Sequence, residues 1–342
     1  MADEDSRAWE RLCELIWGCA IGQAIHVSVE LGIPEMLQAA PMSADQLVAA
    51  TGADAWTLET VLRALIAFDV LTMDGEQHYA LTQMGKLLLK SAPGPSAGEA
   101  GVFFETIYSP LGALMHMIQT GHIAFDRVYG KGFYDHLAEN PALASHFYNA
   151  MEATAPQRYA GLSSVFEFSG ASRVVDVGGG EGSLLVQILC EHRNVRGVLF
   201  DLPLVSRRAR ARIEAAGLSD RCEIVSGDFR DSVPRCGDVY VLAHIVNNWR
   251  DEEALRVLGN CRVAMNHNAC LLILEPVYDP GALSRWRALV SLGVLAQRGG
   301  RTRTEAQVRS LLASAGFYVE NIRSLPGNAT CAIKARRNSS VG

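Results

Sequence analysis

From Ser172 to the C-terminus the sequence alternates short apolar runs with amphipathic stretches, and this rhythm constrains the fold more than any other feature. The runs are "RVVDVGG", "RGVLFDLP", "CEIVSGDF", "GDVYVLAHIV" and "ACLLILEPV", with helices predicted over 183–192, 206–216 and 252–265 among them. Such strands have no polar face, so both faces must be covered. Intervening helices supply that cover, and the fold class that results is a doubly wound, Rossmann-like α/β sheet, mostly parallel. Two further runs, "FYVENIRSL" and "TCAIKARR", lie too close together for a crossover helix, so the last strand is expected to return antiparallel as the seventh of the sheet. Ligands of such sheets bind beyond the carboxyl ends of the strands, where the first strand feeds its helix.

A chain of 342 residues exceeds one core, so a second domain is expected upstream. Apolar residues recur at helical spacing from Leu12 to Leu37, Ser43 and Gln46 form a capping box, and the helix they start ends at Gly52. "DAWTLETVLRALIAFDVL" then sets Leu58, Val61, Leu62, Leu65 and Ile66 on one helix face, and "VLTMDGEQHYAL" reads as two strands turning at Asp74–Gly75. This is a winged helix-turn-helix, which can bind DNA or pair two copies of a chain. Between Met42 and Thr82 Arg63 is the one Lys or Arg, too little to neutralise the phosphates of even non-specific binding, so dimerisation is favoured. A winged-helix regulator remains the non-enzymatic rival. The overall charge of −6 likewise argues against nucleic-acid or anionic-membrane partners.

"SAPGPSAG" (Ser91 to Gly98) breaks the pattern and gives a winged-helix dimerisation domain over 1–95. A helical segment over 96–170, rich in aromatic residues and methionine (Phe104, His116, Tyr134, Phe147 and Met151 among them), is expected to contribute to a pocket, and the α/β domain spans 171–337. The eight cysteines have no zinc-type spacing and read as reduced, mostly core residues; no metal is expected. An acidic N-terminus unlike a signal peptide, and no apolar run of the roughly 18 residues that span a membrane, place the protein in the cytoplasm.

The glycine-rich turn carries the ligand chemistry. Gly178, Gly179, Gly180 and Gly182 follow the first strand, where missing Cβ atoms admit a ligand to the backbone and the next helix offers its N–H groups. Asp201, with Leu202 after it, ends the second strand where an acid accepts hydrogen bonds from ribose hydroxyls. Gly227, Asp228 and Phe229 end the third, with an acid and a ring suited to an adenine. A dinucleotide fingerprint would read G-x-G-x-x-G; here Asp176 precedes the glycines, repelling a pyrophosphate but attracting the ammonium and sulfonium of S-adenosylmethionine. The charge favours the methyl donor.

"VVDVGGGEGSL", "FDLPLV", "GDF", "HIVNNWRDEEALRVLGNC", "LLILEPV" and "GGRTRT", in this order, resemble the small-molecule O-methyltransferases of the caffeate and hydroxyindole type, and most of all bacterial phenazine methyltransferases. The resemblance implies a class I methyltransferase domain, a homodimer joined through the N-terminal module, metal-free methyl transfer from S-adenosylmethionine, and an aromatic small-molecule acceptor. It also exposes departures. Where the family commonly reads H-D-W, with the histidine as base, this chain has Asn247-Asn248-Trp249, and an amide cannot take that proton. The family's partner acid falls on Thr302, while Glu275 matches the remaining acidic position.

Three explanations stand beside one another: positioning alone drives transfer to an acidic hydroxyl or a ring nitrogen; another histidine, His244 or His116, serves instead; or the fold supports a non-methylating hydroxylase or pericyclase chemistry. Asn247, His244 and Glu275 are the catalytic candidates. Phe104, His116, Met151, Asn248, Gly293, Val294 and Gln297 are expected to form a slot for a planar acceptor. Arg285, Arg287 and Arg298 are expected to face solvent rather than to bind a carboxylate.

Overall fold

The computed structural model describes residues 2–92, 101–279, 281, 284–327 and 329–338. Most of the expected break at Ser91–Gly98, and the tail from Ser339, lie outside the described residues. The chain divides into two units, Met1–Glu105 and Thr106–Gly342, so the helical segment from Thr106 onward clusters with the sheet.

In the first unit a long helix, Ala2–Glu30, stops at Gly32, which is left-handed (φ 71°), and Pro34 starts the next helix, Ile33–Ala39. The predicted capping box is formed: Ser43 Oγ accepts from the Gln46 amide at 3.3 Å, and the Ser43 amide donates to Gln46 Oε1 at 2.8 Å. The helices Ala44–Thr51 and Ala55–Ala67 pack Leu47, Leu58, Leu62 and Leu65 against Tyr79. Strand β1 (Leu71–Met73) pairs antiparallel with β2 (Tyr79–Leu81), which completes the winged-helix topology. The turn is wider than expected: Asp74 accepts the amides of Glu76 and His78 at 2.9 Å, and the left-handed residue is Gln77 (φ 63°), not Gly75. Arg63 donates to Glu59 at 2.5 Å, so an acid neighbours the one Lys or Arg between Met42 and Thr82.

The first helix bears on the expectation about membrane spans. Its span Glu4–Glu30 includes an 18-residue window apolar enough, by length and composition alone, to cross a membrane, with a mean hydropathy of 1.4 over that window. Its Trp9, Leu12, Leu15, Ile16 and Trp17 are exposed in the single chain. The cysteines also differ from expectation: all eight are free, but only Cys222, Cys261 and Cys270 are buried.

The second unit holds seven strands, β3 (Arg173–Val177), β4 (Arg196–Asp201), β5 (Cys222–Ser226), β6 (Val239–Ala243), β7 (Cys270–Pro276), β8 (Phe317–Ser324) and β9 (Thr330–Arg337), in the order β5-β4-β3-β6-β7-β9-β8. β9 runs antiparallel to both neighbours, as its short link to β8 requires. Side chains alternate between two cores: Val174, Leu199, Val241 and Leu272 join one, Val175, Phe200, Tyr240 and Ile273 the other. Both faces are therefore buried. The predicted helix after each early strand is present as Ser183–Glu191, Pro203–Ala215 and Asp251–Ala264. The upstream stretch is a series of short helices, broken at the left-handed Gly121 and Gly130, that leads into Pro141–Arg158.

Tyr240 anchors β6 from inside this core. Its fully buried hydroxyl accepts the Gly237 amide at 3.3 Å and faces the carbonyls of Pro234 (2.7 Å) and Ala264 (3.0 Å). Burial pushes this phenol up to about 12, so it stays neutral. Tyr240→Phe strips these backbone groups of their partner and is expected to cost about 1–3 kcal/mol in urea denaturation; an unchanged midpoint would mean that the hydroxyl bears no load.

Candidate active site

The carboxyl ends of β3, β4 and β6, with the loop after β5, open on one cleft. Asp176, Gly178, Gly179, Gly180, Asp201, Leu202, Asp228, Phe229, His244, Asn248 and Met151 border it, so most of the predicted donor residues and part of the acceptor set meet. The turn itself is fixed by its neighbours. Gly178 is left-handed (φ 70°), and a Cβ there would fall 2.5 Å from Ile245. Gly180 is also left-handed (φ 62°) but faces open space, its nearest neighbour being Glu152 at 3.9 Å; its amide donates to Asp201 at 2.8 Å.

The acids differ in what holds them. Asp176 is fully buried, and neither carboxyl oxygen has a hydrogen-bond partner among the described residues. Burial, reinforced by the charges of Asp201 and Glu152, pushes it up to about 7. Asp201 rises to about 6 through burial, although the amides of Gly180 and Leu202 oppose the shift. Asp228 is occupied: the Arg230 side chain forks onto it at 2.6–3.0 Å. Burial would raise Asp228, but the Arg230 hydrogen bonds outweigh it and hold the carboxyl below its usual range. Gly227 stays outside the cleft, against the Phe200 ring.

On the opposite wall, Tyr134 stacks on Trp249 (centroids 6.0 Å apart), and Phe229 meets Trp249 edge-on. His244, just past β6, has a left-handed backbone (φ 54°). Its amide donates to the Leu274 carbonyl, its carbonyl accepts from Asn248 Nδ2 at 2.6 Å, and its Nε2 is buried with no partner among the described residues. Burial, with Arg158 and Arg298 adding to it, pushes the imidazole down to about 3, so it is neutral.

The other acceptor-side candidates lie elsewhere. Asn247 is buried off the cleft; its amide donates to Glu275 at 3.0 Å and its Oδ1 is unpartnered among the described residues. Burial pushes Glu275 up to about 7, against the pull of Arg303 and the Asn247 amide. Arg303, 1% exposed, donates to the carbonyls of Val246 and Trp249 and to Asp251 at 2.7–2.9 Å, holding the loop that carries residues 244–251. Thr302, in the position of the family's partner acid, meets Ser291 at 3.2 Å. Gln297 donates to the buried Thr106 hydroxyl at 2.7 Å, Gly293 packs on Ile107, and Val294 is half-buried on the same helix. His116 lies beside His122, and Phe104 belongs to the first unit, stacked on His26.

Several cleft residues escaped the sequence reading. Tyr148, Glu152, Ala155 and Tyr159 join the expected Met151 along the cleft, at i, i+4, i+7 and i+11 with Met151 at i+3, along and just past the Pro141–Arg158 helix, a spacing that could have revealed them. Glu152 accepts from Ser183 and pairs with Arg212 at 2.9 Å. Arg158 and Arg298 also border the cleft; Arg285 is exposed as expected, Arg298 is not.

Residues 110–318 match the O-methyltransferase domain and residues 13–91 the O-methyltransferase dimerisation domain. The chain belongs to the O-methyltransferase family. It is 33% identical to the phenazine O-methyltransferase of Lysobacter antibioticus over 91% of each chain. Among solved structures, the mitomycin 7-O-methyltransferase is similar with a TM-score of 0.93 and 31% identity, covering 98% of this chain and 100% of that one. An O-methyltransferase of neocarzinostatin biosynthesis, solved with S-adenosylmethionine and 2-hydroxy-5-methyl naphthoic acid, gives 0.84 and 28% over 92% and 95%. This chain is accordingly an S-adenosylmethionine-dependent methyltransferase that pairs as a homodimer, and its exposed first helix falls largely within the dimerisation domain. Orphaned Asp176 oxygens beside a turn closed to side chains fit a cationic donor.

Asp176 must ionise to meet that cation, so donor affinity is expected to rise with pH through about 7, with a proton released below it. Asp176→Asn should weaken donor binding about 10- to 100-fold and flatten this dependence. In the free protein the sign reverses. A carboxyl raised from 3.8 to about 7 on folding favours the native state below the unfolded value and loses that contribution as pH rises through 7. The variant should therefore melt higher than wild type at pH 8 without donor. Calorimetry and thermal scans check both; equal pH slopes would contradict the assignment.

Proposed function

We propose that this protein transfers a methyl group to a hydroxyl of a planar aromatic secondary metabolite, a phenazine or a polyketide phenol, in antibiotic or pigment biosynthesis in the cytoplasm. S-adenosylmethionine, when bound, supplies an electrophilic methyl group on sulfur. Asp176 faces its cationic end, Asp201 accepts from the ribose, and Phe229 borders the adenine.

One observation carries the reading: neutral His244, whose Nε2 is unpartnered among the described residues, borders the same cleft as the donor acids, Tyr134 and Trp249. That nitrogen accepts the acceptor hydroxyl and aims it, with Asn248 fixing the His244 carbonyl. With its proton affinity pushed down to about 3, His244 orients better than it deprotonates. Positioning supplies roughly 7–11 kcal/mol, against the 10²–10⁴-fold typical of a general base. Glu275 and Asn247 act one step back, by holding the loop through the Asn247 amide. The weakness of His244 as a base also favours a second reading, methylation of a ring nitrogen, whose lone pair needs none.

Incubation with S-adenosylmethionine and a panel of phenazine and naphthoquinone phenols should give one acceptor that gains a single CH2 with matching S-adenosylhomocysteine release. Donor binding with no methylated product across the panel would sink the proposal. His244→Ala is expected to lower kcat/KM about 10- to 100-fold with donor affinity unchanged. Across acceptors, the pH at which the rate rises should follow the phenol's own ionisation; a fixed inflection shared by all acceptors would identify an enzymatic base instead.

A further inference from the structure

The cleft holds a cation that methyl transfer does not call for. Arg298 ends the Arg285–Arg298 helix and borders the cleft with Tyr134, Phe147, Asn248 and Trp249. Its guanidinium lies 5.3 Å from the Phe133 ring centroid and 6.0 Å from that of Phe147, and Nη1 donates to the Tyr134 hydroxyl at 3.3 Å. Rings thus hold the group in place, and rings do not neutralise it. Nε is buried without an acceptor, and among the described residues no carboxylate pairs with Arg298. The other two cleft arginines are otherwise engaged: Arg230 is forked onto Asp228, and Arg158 contacts the Met151 sulfur at 3.6 Å. A shielded guanidinium with unused, coplanar N–H groups pays a desolvation cost that a bound anion removes.

We propose that Arg298 is a specificity-determining residue for acceptors that carry a carboxylate, which makes the preferred acceptor a planar hydroxy-aromatic acid rather than a neutral phenol. The two oxygens of a carboxylate match the in-plane donors of the guanidinium, and the aromatic residues around Arg298 suit the ring that bears it. The acceptor is then held at two points, its carboxylate on Arg298 and its hydroxyl on His244, within one cleft. The inference rests on the methyl-transfer reading for the fate of the acceptor, but recognition is measurable by binding alone.

The probes are 3-hydroxy-2-naphthoate and its methyl ester, titrated by calorimetry into the full-length protein saturated with S-adenosylhomocysteine. Wild type is expected to prefer the acid about 10- to 100-fold. Arg298→Gln should erase that preference by weakening the acid alone, and Arg298→Lys should keep part of it, since a point charge lacks the fork. Equal binding of acid and ester to wild type, or a preference that survives Arg298→Gln, would overturn the assignment. The thermal shift produced by S-adenosylhomocysteine checks that the variants are folded, and if Arg298→Gln fails that check, Arg298→Lys and the wild-type comparison decide. Methylation of both probes without preference for the acid would sink this inference and leave methyl transfer standing. Acid-selective binding with no methylated product would do the reverse.

Discussion

The buried guanidinium of Arg303 is the joint on which the acceptor side depends. Its donors end on Val246, Trp249 and Asp251, so one side chain from the "GGRTRT" segment fixes the loop that presents His244, Asn248 and Trp249. Glu275 completes the joint from β7 through the Asn247 amide, and Gly300 lies so close to that loop that a Cβ would strike the Asn247 carbonyl. Removing the Arg303 guanidinium leaves the Val246 and Trp249 carbonyls without their donor, typically at about 1–3 kcal/mol each. The segment that departs from the family pattern is therefore also held from two sides, by Arg303 and by Glu275.

The donor side is governed by unbalanced charge. Asp176, Asp201 and Glu152 each have their carboxyl raised by burial, and the Arg212 that pairs with Glu152 does not reverse this for the group. Acids gathered without cations are costly in the free protein and well matched to a cationic ligand. Asp228 shows the contrast, since Arg230 already satisfies it.

The sheet was legible because alternation of strand and helix leaves little freedom once both strand faces are apolar, and the antiparallel β9 followed from the shortness of its link. The winged helix was legible through local signals, the Ser43–Gln46 box above all. Strand-end acids could be read because strand ends are where such sheets bind ligands. The glycines were found, but part of the reason lay in tertiary packing that no sequence displays, such as Ile245 against Gly178. Side chains on helices were the least legible: Gln297 turns to Thr106, Asn247 faces away from the cleft, and Arg298 faces into it. A helix pattern gives the angle between neighbouring residues, not which angle points at the ligand.

The Pro141–Arg158 helix enters both halves of the cleft as one body. It brings Met151 to the cleft lining and Glu152 to the glycine turn, and it is bolted to the sheet side by Arg208, which joins Ser145 and Asn149 to Glu181, and by the Glu152–Arg212 pair. Adjacent residues on a single rigid turn cannot be tuned independently. A lineage drifting toward a new acceptor by changing Met151 or Tyr148 also perturbs Glu152 and the glycine turn beside it, and the 244–251 loop is no freer, because Ile245 packs on Gly178 and Trp249 on Phe229; acceptor diversification is thereby steered toward the Arg285–Arg298 helix.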